Sequence, residues 1–224
     1  MTDIAALKAE EARLWSAMHI LPERKPLFMR AAKRLVAPTA KARYQFVSRQ
    51  TGVPWYVIAV IHEREASQDW NANIAQGDRF DRVSIHVPKG RGPFSTWEAA
   101  ACDALRSCAP YAARWTDWSI EGTLTLLETY NGTGYFARHL PSPYDWSGTD
   151  QYHAGKFIRD GVFSSTAVDT QLGCAALLAC MAELDPDVKF TKPDLPVKPL
   201  PPTPVSRQPW WLVLLQAIIK ALRK

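Results

Sequence analysis

Seven of the 19 residues from Thr191 to Pro209, TKPDLPVKPLPPTPVSRQP, are proline. Proline has no amide hydrogen and a fixed φ, so a run of this density continues neither a helix nor the interior of a sheet. An extended, polyproline-like spacer is expected there, and it divides the chain. A folded body is expected over residues 1–184, a Pro-rich linker over 185–209 and a separate terminal segment over 210–224.

The body is long enough for one sizeable domain, and its periodicity is helical. In DIAALKAEEARLWSAM, Asp3 is placed as an N-cap ahead of apolar positions at helical spacing. PERKPLFMRAAKRLV follows, then PTAKARYQFVSRQTG, which opens at Pro38 and stops at Gly52. Pro54 opens the next helix, which carries VIAVIHEREA. Periodicity is lost between Gln68 and Phe94, where only RVSIHV alternates like a strand, and an irregular lobe with one hairpin is expected. Helices resume at STWEAAACDALRSC, with a Ser95/Glu98 capping box, and at SIEGTLTLLETYNG. A Gly/Pro/aromatic segment then leads to a last body helix, STAVDTQLGCAALLACMAEL. The fold class is mainly α with a small irregular or β-hairpin lobe.

Charge and cysteine usage narrow the chemistry. The net charge is +5, but residues 185–224 hold seven Lys/Arg against three Asp, leaving 20 basic and 19 acidic residues for the body. Attraction to anionic surfaces therefore belongs to the tail, and a nucleic-acid partner is not expected. Cys102 and Cys108, like Cys174 and Cys180, are separated by five residues, wider than paired zinc ligands, and no His stands in register. Free buried thiols, no metal and no cofactor are expected. The N-terminal MTDIAALKAEEARLWSAM has acids where a signal peptide needs a basic start, so retention in the cytoplasm until release toward the cell wall is expected. A monomer is expected.

The apolar run Val57–Ile61 must be buried, yet it runs directly into Glu63 and Glu65. Ile58, Ile61 and Glu65 share a helix face, and Glu63 is rotated roughly 200° from Glu65 at ~100° per residue. One acid therefore faces the interior or a cleft and the other faces water. A carboxyl at the end of a buried helix keeps its proton at neutral pH, as a general acid for glycoside cleavage requires. The plainer alternative is a buried ion pair with Arg64 or another arginine. HEREA lacks the second His of a zincin, and GTGYFA follows a helix where a dinucleotide fingerprint needs a strand.

VIHEREAS followed at distance by LETYNGTGY resembles the lysozyme superfamily, in particular goose-type lysozymes, lytic transglycosylases and phage endolysins. The resemblance spans about residues 40–182 and implies a lysozyme-like helical domain acting on peptidoglycan. It matches Glu65 to the catalytic acid and Tyr130, Asn131 and Gly132 to the later motif, with Ala66 where Ser is usual. Glu63 is the alternative acid. Asp78 and Asp81, just beyond the acid-bearing helix, are candidates for a second carboxylate, although Asp in GDRFDR also suits a turn. Tyr130, Tyr135, Tyr144 and Trp146 offer flat faces for sugar rings, and Asn131 suits an acetamido group. His62 and His86 are expected to be structural. Lys89 and Arg91 are candidates to line a cleft and meet peptide carboxylates.

In WWLVLLQAIIKALRK, Trp211, Leu214, Leu215, Ile218, Ile219 and Leu222 form one apolar stripe. Trp210 opens the segment, and Lys220, Arg223 and Lys224 make its end basic. At 15 residues it is short for a membrane span and suits an interfacial helix on an anionic membrane or lipopolysaccharide, with Trp210, Trp211, Leu215, Ile219, Lys220, Arg223 and Lys224 as the contacts. The alternative is a helix docked on the body or on a second copy. A muramidase-type endolysin is thus expected; the rivals are a lytic transglycosylase, a chitinase- or chitosanase-like enzyme, and a non-catalytic glycan-binding or membrane-disrupting protein.

Overall fold

The computed structural model describes residues 2–159 and 161–191. These residues form a mainly helical body with one small two-stranded sheet. In chain order the helices are α1 (Ile4–Ala17), α2 (Lys25–Leu35), α3 (Pro38–Thr51), α4 (Trp55–Ala66), α5 (Trp97–Ser107), α6 (Ile120–Asn131), the short α7 (Pro143–Trp146) and α8 (Cys174–Leu184). Strands β1 (Lys156–Arg159) and β2 (Val162–Ser164) pair antiparallel, with Phe157 opposite Phe163 and a register irregularity before Arg159.

Helix α4 is the axis of the body. Every residue from Trp55 to His62 is buried, as a helix that is apolar on all sides must be. It packs against α2, α3 and α8, while α6 joins α1 to α7. The helix ends agree with the chain's own punctuation. Asp3 accepts from the amides of Ala5 and Ala6, Gly52 closes α3 at φ +78°, and Gly132 closes α6 at φ +100°.

The structure differs from sequence expectation in three places. Thr96, not Ser95, caps α5, accepting from the Ala99 amide at 3.1 Å. The hairpin lies at residues 156–164 and not between Gln68 and Phe94, where Val83, Ile85 and Val87 alternate but are all exposed and unpaired. The last body helix begins at Cys174, nine residues after Ser165, where its pattern implied a start. Residues 165–173 instead form no regular element, and Gly173 comes closest to α7, its amide donating to the Ser147 carbonyl. A Cβ there would lie 2.5 Å from the Asp145 carbonyl oxygen.

Beyond Leu184 the described chain stays on the body. Tyr56 donates to the Lys189 carbonyl at 2.6 Å, Phe190 packs edge-on against Trp15 and Tyr56, and the Thr191 amide donates to Trp118. The remainder of the Pro-rich linker and the segment 210–224, with its seven candidate membrane contacts, lie outside the described residues. All four cysteines are free; Cys102 is partly exposed and the other three are buried. No helix among the described residues is long and apolar enough to cross a membrane.

Candidate active site

The two acids at the end of α4 part ways as helical geometry demands. Glu63 turns to α2, where Arg34 Nη2 reaches both of its oxygens at 3.0 Å. Glu65 turns to a cleft of about 510 Å3 formed by the end of α6, the residues after it, α7, and the β1–β2 hairpin. There the Tyr144 hydroxyl donates to Glu65 Oε1 at 2.8 Å. Burial pushes the Glu65 carboxyl up from 4.5 to about 7, against the opposing pull of the Tyr144 hydrogen bond and the Arg64 charge. Burial raises the Tyr144 hydroxyl well above its usual range, so it remains a donor.

The end of α4 is held in place by local bonds that release the chain at this point. Ser67 and Gln68 both adopt positive φ, 51° and 60°, and their amides return to the Glu63 and His62 carbonyls. Left-handed backbone at non-glycine residues is held only where the surroundings enforce it. Here the Gln68 side-chain Nε2 donates to the Tyr44 hydroxyl and the Arg34 carbonyl. His62 lies one turn inside, its Nε2 donating to the Asp69 carbonyl and its Nδ1 accepting from Tyr44, both at 3.0 Å. Burial lowers its pKa to about 4, which keeps it neutral among Tyr44, Trp70 and Trp97.

Of the residues nominated from sequence, the structure gathers Glu65, Asn131, Gly132, Tyr135 and Tyr144 on one cleft. Tyr135 is a wall and not an open stacking face, since it is 5% exposed and its hydroxyl accepts from the Phe157 amide. Six other nominees stand elsewhere. Tyr130 donates to the Ile74 carbonyl at 2.7 Å and ties the residue 68–96 lobe to α6. Trp146 is a core residue at 0% exposure. Asp78 accepts from the Ile85 and His86 amides at 3.0 Å and from His86 Nδ1 at 2.7 Å, as a loop clasp. Burial alone would raise its pKa, but these bonds hold it below the usual range. Asp81 is gripped by the Arg79 guanidinium at 3.0 and 2.6 Å. Arg91 pairs with Asp103 and Lys89 is exposed; neither lines the cleft.

Several cleft residues carry no motif. Arg64, Lys156, Arg159 and Asp169 line it, and Asp169 binds Arg64 at 2.6 Å and Lys156 at 3.5 Å. Among the described residues Asp169 is the only carboxylate besides Glu65 on the cleft, and its charge is matched twice over. The dipeptide Asp160-Gly161 is a hairpin signal in the sequence, and it is the one cue that could have pointed to Lys156 and Arg159.

A second acidic cluster lies in the interior. Glu11, Glu128 and Asp145 come from α1, α6 and α7, are each at most 2% exposed, and bring carboxylate oxygens within 4.8 Å of one another. Metal was not expected from the sequence, and these three side chains are the one group of ligand type among the described residues. Burial and mutual repulsion raise Glu11 to about 8 and Asp145 well above the carboxylate range, and burial raises Glu128 to about 7. At neutral pH such a cluster keeps protons in place of charge.

Comparison with protein-family models, with curated proteins and with solved structures found no match to this chain.

Proposed function

We infer that the chain is a glycosidase of lysozyme-like type that cuts the glycan strand of peptidoglycan, with Glu65 as the proton donor. One observation carries this reading: a carboxyl at the end of the central buried helix, with a pKa near 7, opens onto a cleft and is oriented by a tyrosine hydroxyl. Protonated Glu65 gives its proton to the glycosidic oxygen as the C1–O bond breaks, and the resulting carboxylate faces the oxocarbenium-like sugar. Arg64, Lys156 and Arg159 make the cleft basic, which suits a glycan strand whose peptide branches carry carboxylates. Asn131, exposed at its rim, suits an acetamido group.

A second reading is favoured by the state of Asp169. Because the only other described carboxylate on the cleft is held by two cations, Glu65 is left to act as acid and then as base. The glycan's own 6-hydroxyl then attacks C1 while Glu65 takes its proton, forming a 1,6-anhydro sugar, the outcome of a lytic transglycosylase. The interfacial role of residues 210–224 remains part of the proposal on sequence grounds: six apolar side chains in one stripe and a basic end. Chitin or chitosan cleavage and purely glycan-binding action are the alternatives. Incubating purified cell walls with the wild type and with Glu65→Gln, followed by mass spectrometry of the fragments, tests all of these. Soluble muropeptides should form at a rate at least ~10²-fold lower with the variant. Reducing or anhydro ends will tell hydrolysis from transglycosylation, and equal release by both proteins would remove Glu65 from the chemistry.

A further inference from the structure

Behind the partition formed by Arg64 and Gln171 lies a second groove of about 310 Å3. Helix α2 presents Leu27, Arg30, Ala31 and Arg34 to it at spacings of three, one and three, a single helical stripe. Glu63, Ser67 and residues 170–172 close the other side, and Arg24 stands at the head of α2. Gln171 Nε2 donates to the Arg64 carbonyl at 3.1 Å, and both residues line both cavities, so the groove and the Glu65 cleft share a wall.

Four arginines line this groove against one acid. Glu63 is already matched by Arg34, and Arg64 by Asp169. Among the described residues Arg24 reaches only a carbonyl, that of Thr170 at 2.6 Å, and its buried Nε has no partner there. Arg30 is exposed and has no hydrogen bond or ion pair among the described residues. Two guanidiniums are therefore uncompensated in one concave site. A guanidinium fork in such a setting matches planar or tetrahedral oxyanions.

We propose that this groove is a binding site for carboxylates of the peptide side chain that branches from the glycan strand, with Arg24 and Arg30 as its anion contacts. The assignment rests on the glycosidase reading for its ligand, since a strand lying in the neighbouring cleft would direct its lactyl-linked peptide across the shared wall. Without that reading the geometry still specifies an oxyanion. Charge reversal at Arg30 is the direct probe, because position 30 is exposed on a helix and tolerates substitution.

The full chain and Arg30→Glu are compared on intact peptidoglycan and on glycan strands stripped of peptides by an amidase. The specificity constant should fall about tenfold on intact wall, with stripped glycan unaffected and Arg30→Lys retaining most activity. An equal loss on both substrates, or a loss on neither, would overturn the proposal. Calorimetric titration with a free acidic stem tripeptide separates this site from the cleavage chemistry: wild type and Glu65→Gln should bind it and Arg30→Glu should not, whether or not the wild type cleaves walls. Inorganic phosphate is the control for a phosphate ligand. Saturable binding of phosphate with none of the tripeptide would overturn the stem-peptide assignment.

Discussion

Replacing Glu11 by glutamine tests whether the buried cluster of Glu11, Glu128 and Asp145 holds protons. The Glu11 carboxyl is moved from 4.5 to about 8, first by burial and then by repulsion from Glu128. At about 1.4 kcal/mol per pH unit, this corresponds to a contribution on the order of 5 kcal/mol. Its sign follows from linkage. The folded state holds this proton more tightly than the unfolded state, so the contribution is complete below about pH 4.5 and is lost as pH rises through about 8. Glu128 and Asp145 act in the same direction. Wild-type Tm should therefore fall between about pH 5 and about pH 8.5. Glutamine keeps the shape, cannot ionise, and relieves the repulsion on its neighbours. Glu11→Gln should match the wild type near pH 5 and exceed it near pH 8.5 by several degrees, at ~2–4 °C per kcal/mol for a domain of this size. Differential scanning fluorimetry across that range is the assay, repeated with a chelator. A wild-type Tm that is flat or rising, a variant with the wild-type slope, or a loss of wild-type stability on adding chelator near pH 8.5 would refute the reasoning; the last would mean that a cation, not protons, neutralises the cluster.

Two further predictions concern the site and the tail. Tyr144→Phe removes the hydrogen bond that opposes burial at Glu65, so the alkaline limb of the pH–rate profile should move upward from about pH 7 while the maximal rate falls; a limb that stays in place would deny Tyr144 its hold on the acid. Deleting residues 205–224 should leave digestion of purified walls intact and abolish leakage of anionic vesicles, and a deletion that instead lost wall digestion would assign the segment to the body.

Local signals were legible where a single residue determines a single outcome. Asp3, Gly52, Pro54 and Gly132 bound their helices as their chemistry requires, and the 200° between Glu63 and Glu65 places them in different environments. What escaped depends on distant partners. RVSIHV alternates like a strand, but the amides of Ile85 and His86 are taken by Asp78, so no ladder forms. Asp169 was hidden inside an apparent helical pattern, and only the approach of Gly173 to Ser147 and Asp145 shows why the helix starts no earlier than Cys174. Trp146 looks like a sugar platform by composition and is core by packing, a choice settled by the core cluster it joins and by α6 and α8, against which α7 packs.

Helix α7 is only four residues long, and it carries Tyr144 and Asp145 in succession. One reaches the acid in the cleft; the other stands among the buried carboxyls. Bulky or cationic substitutions at Asp145, Glu11 or Glu128 would therefore disturb the body behind the cleft although none of the three lines it, and a screen scored by activity alone would not tell them from a change at Glu65. Sorting them requires reading thermal stability and turnover on the same variants: Glu11→Gln should keep both, whereas Glu65→Gln should keep the fold and lose turnover.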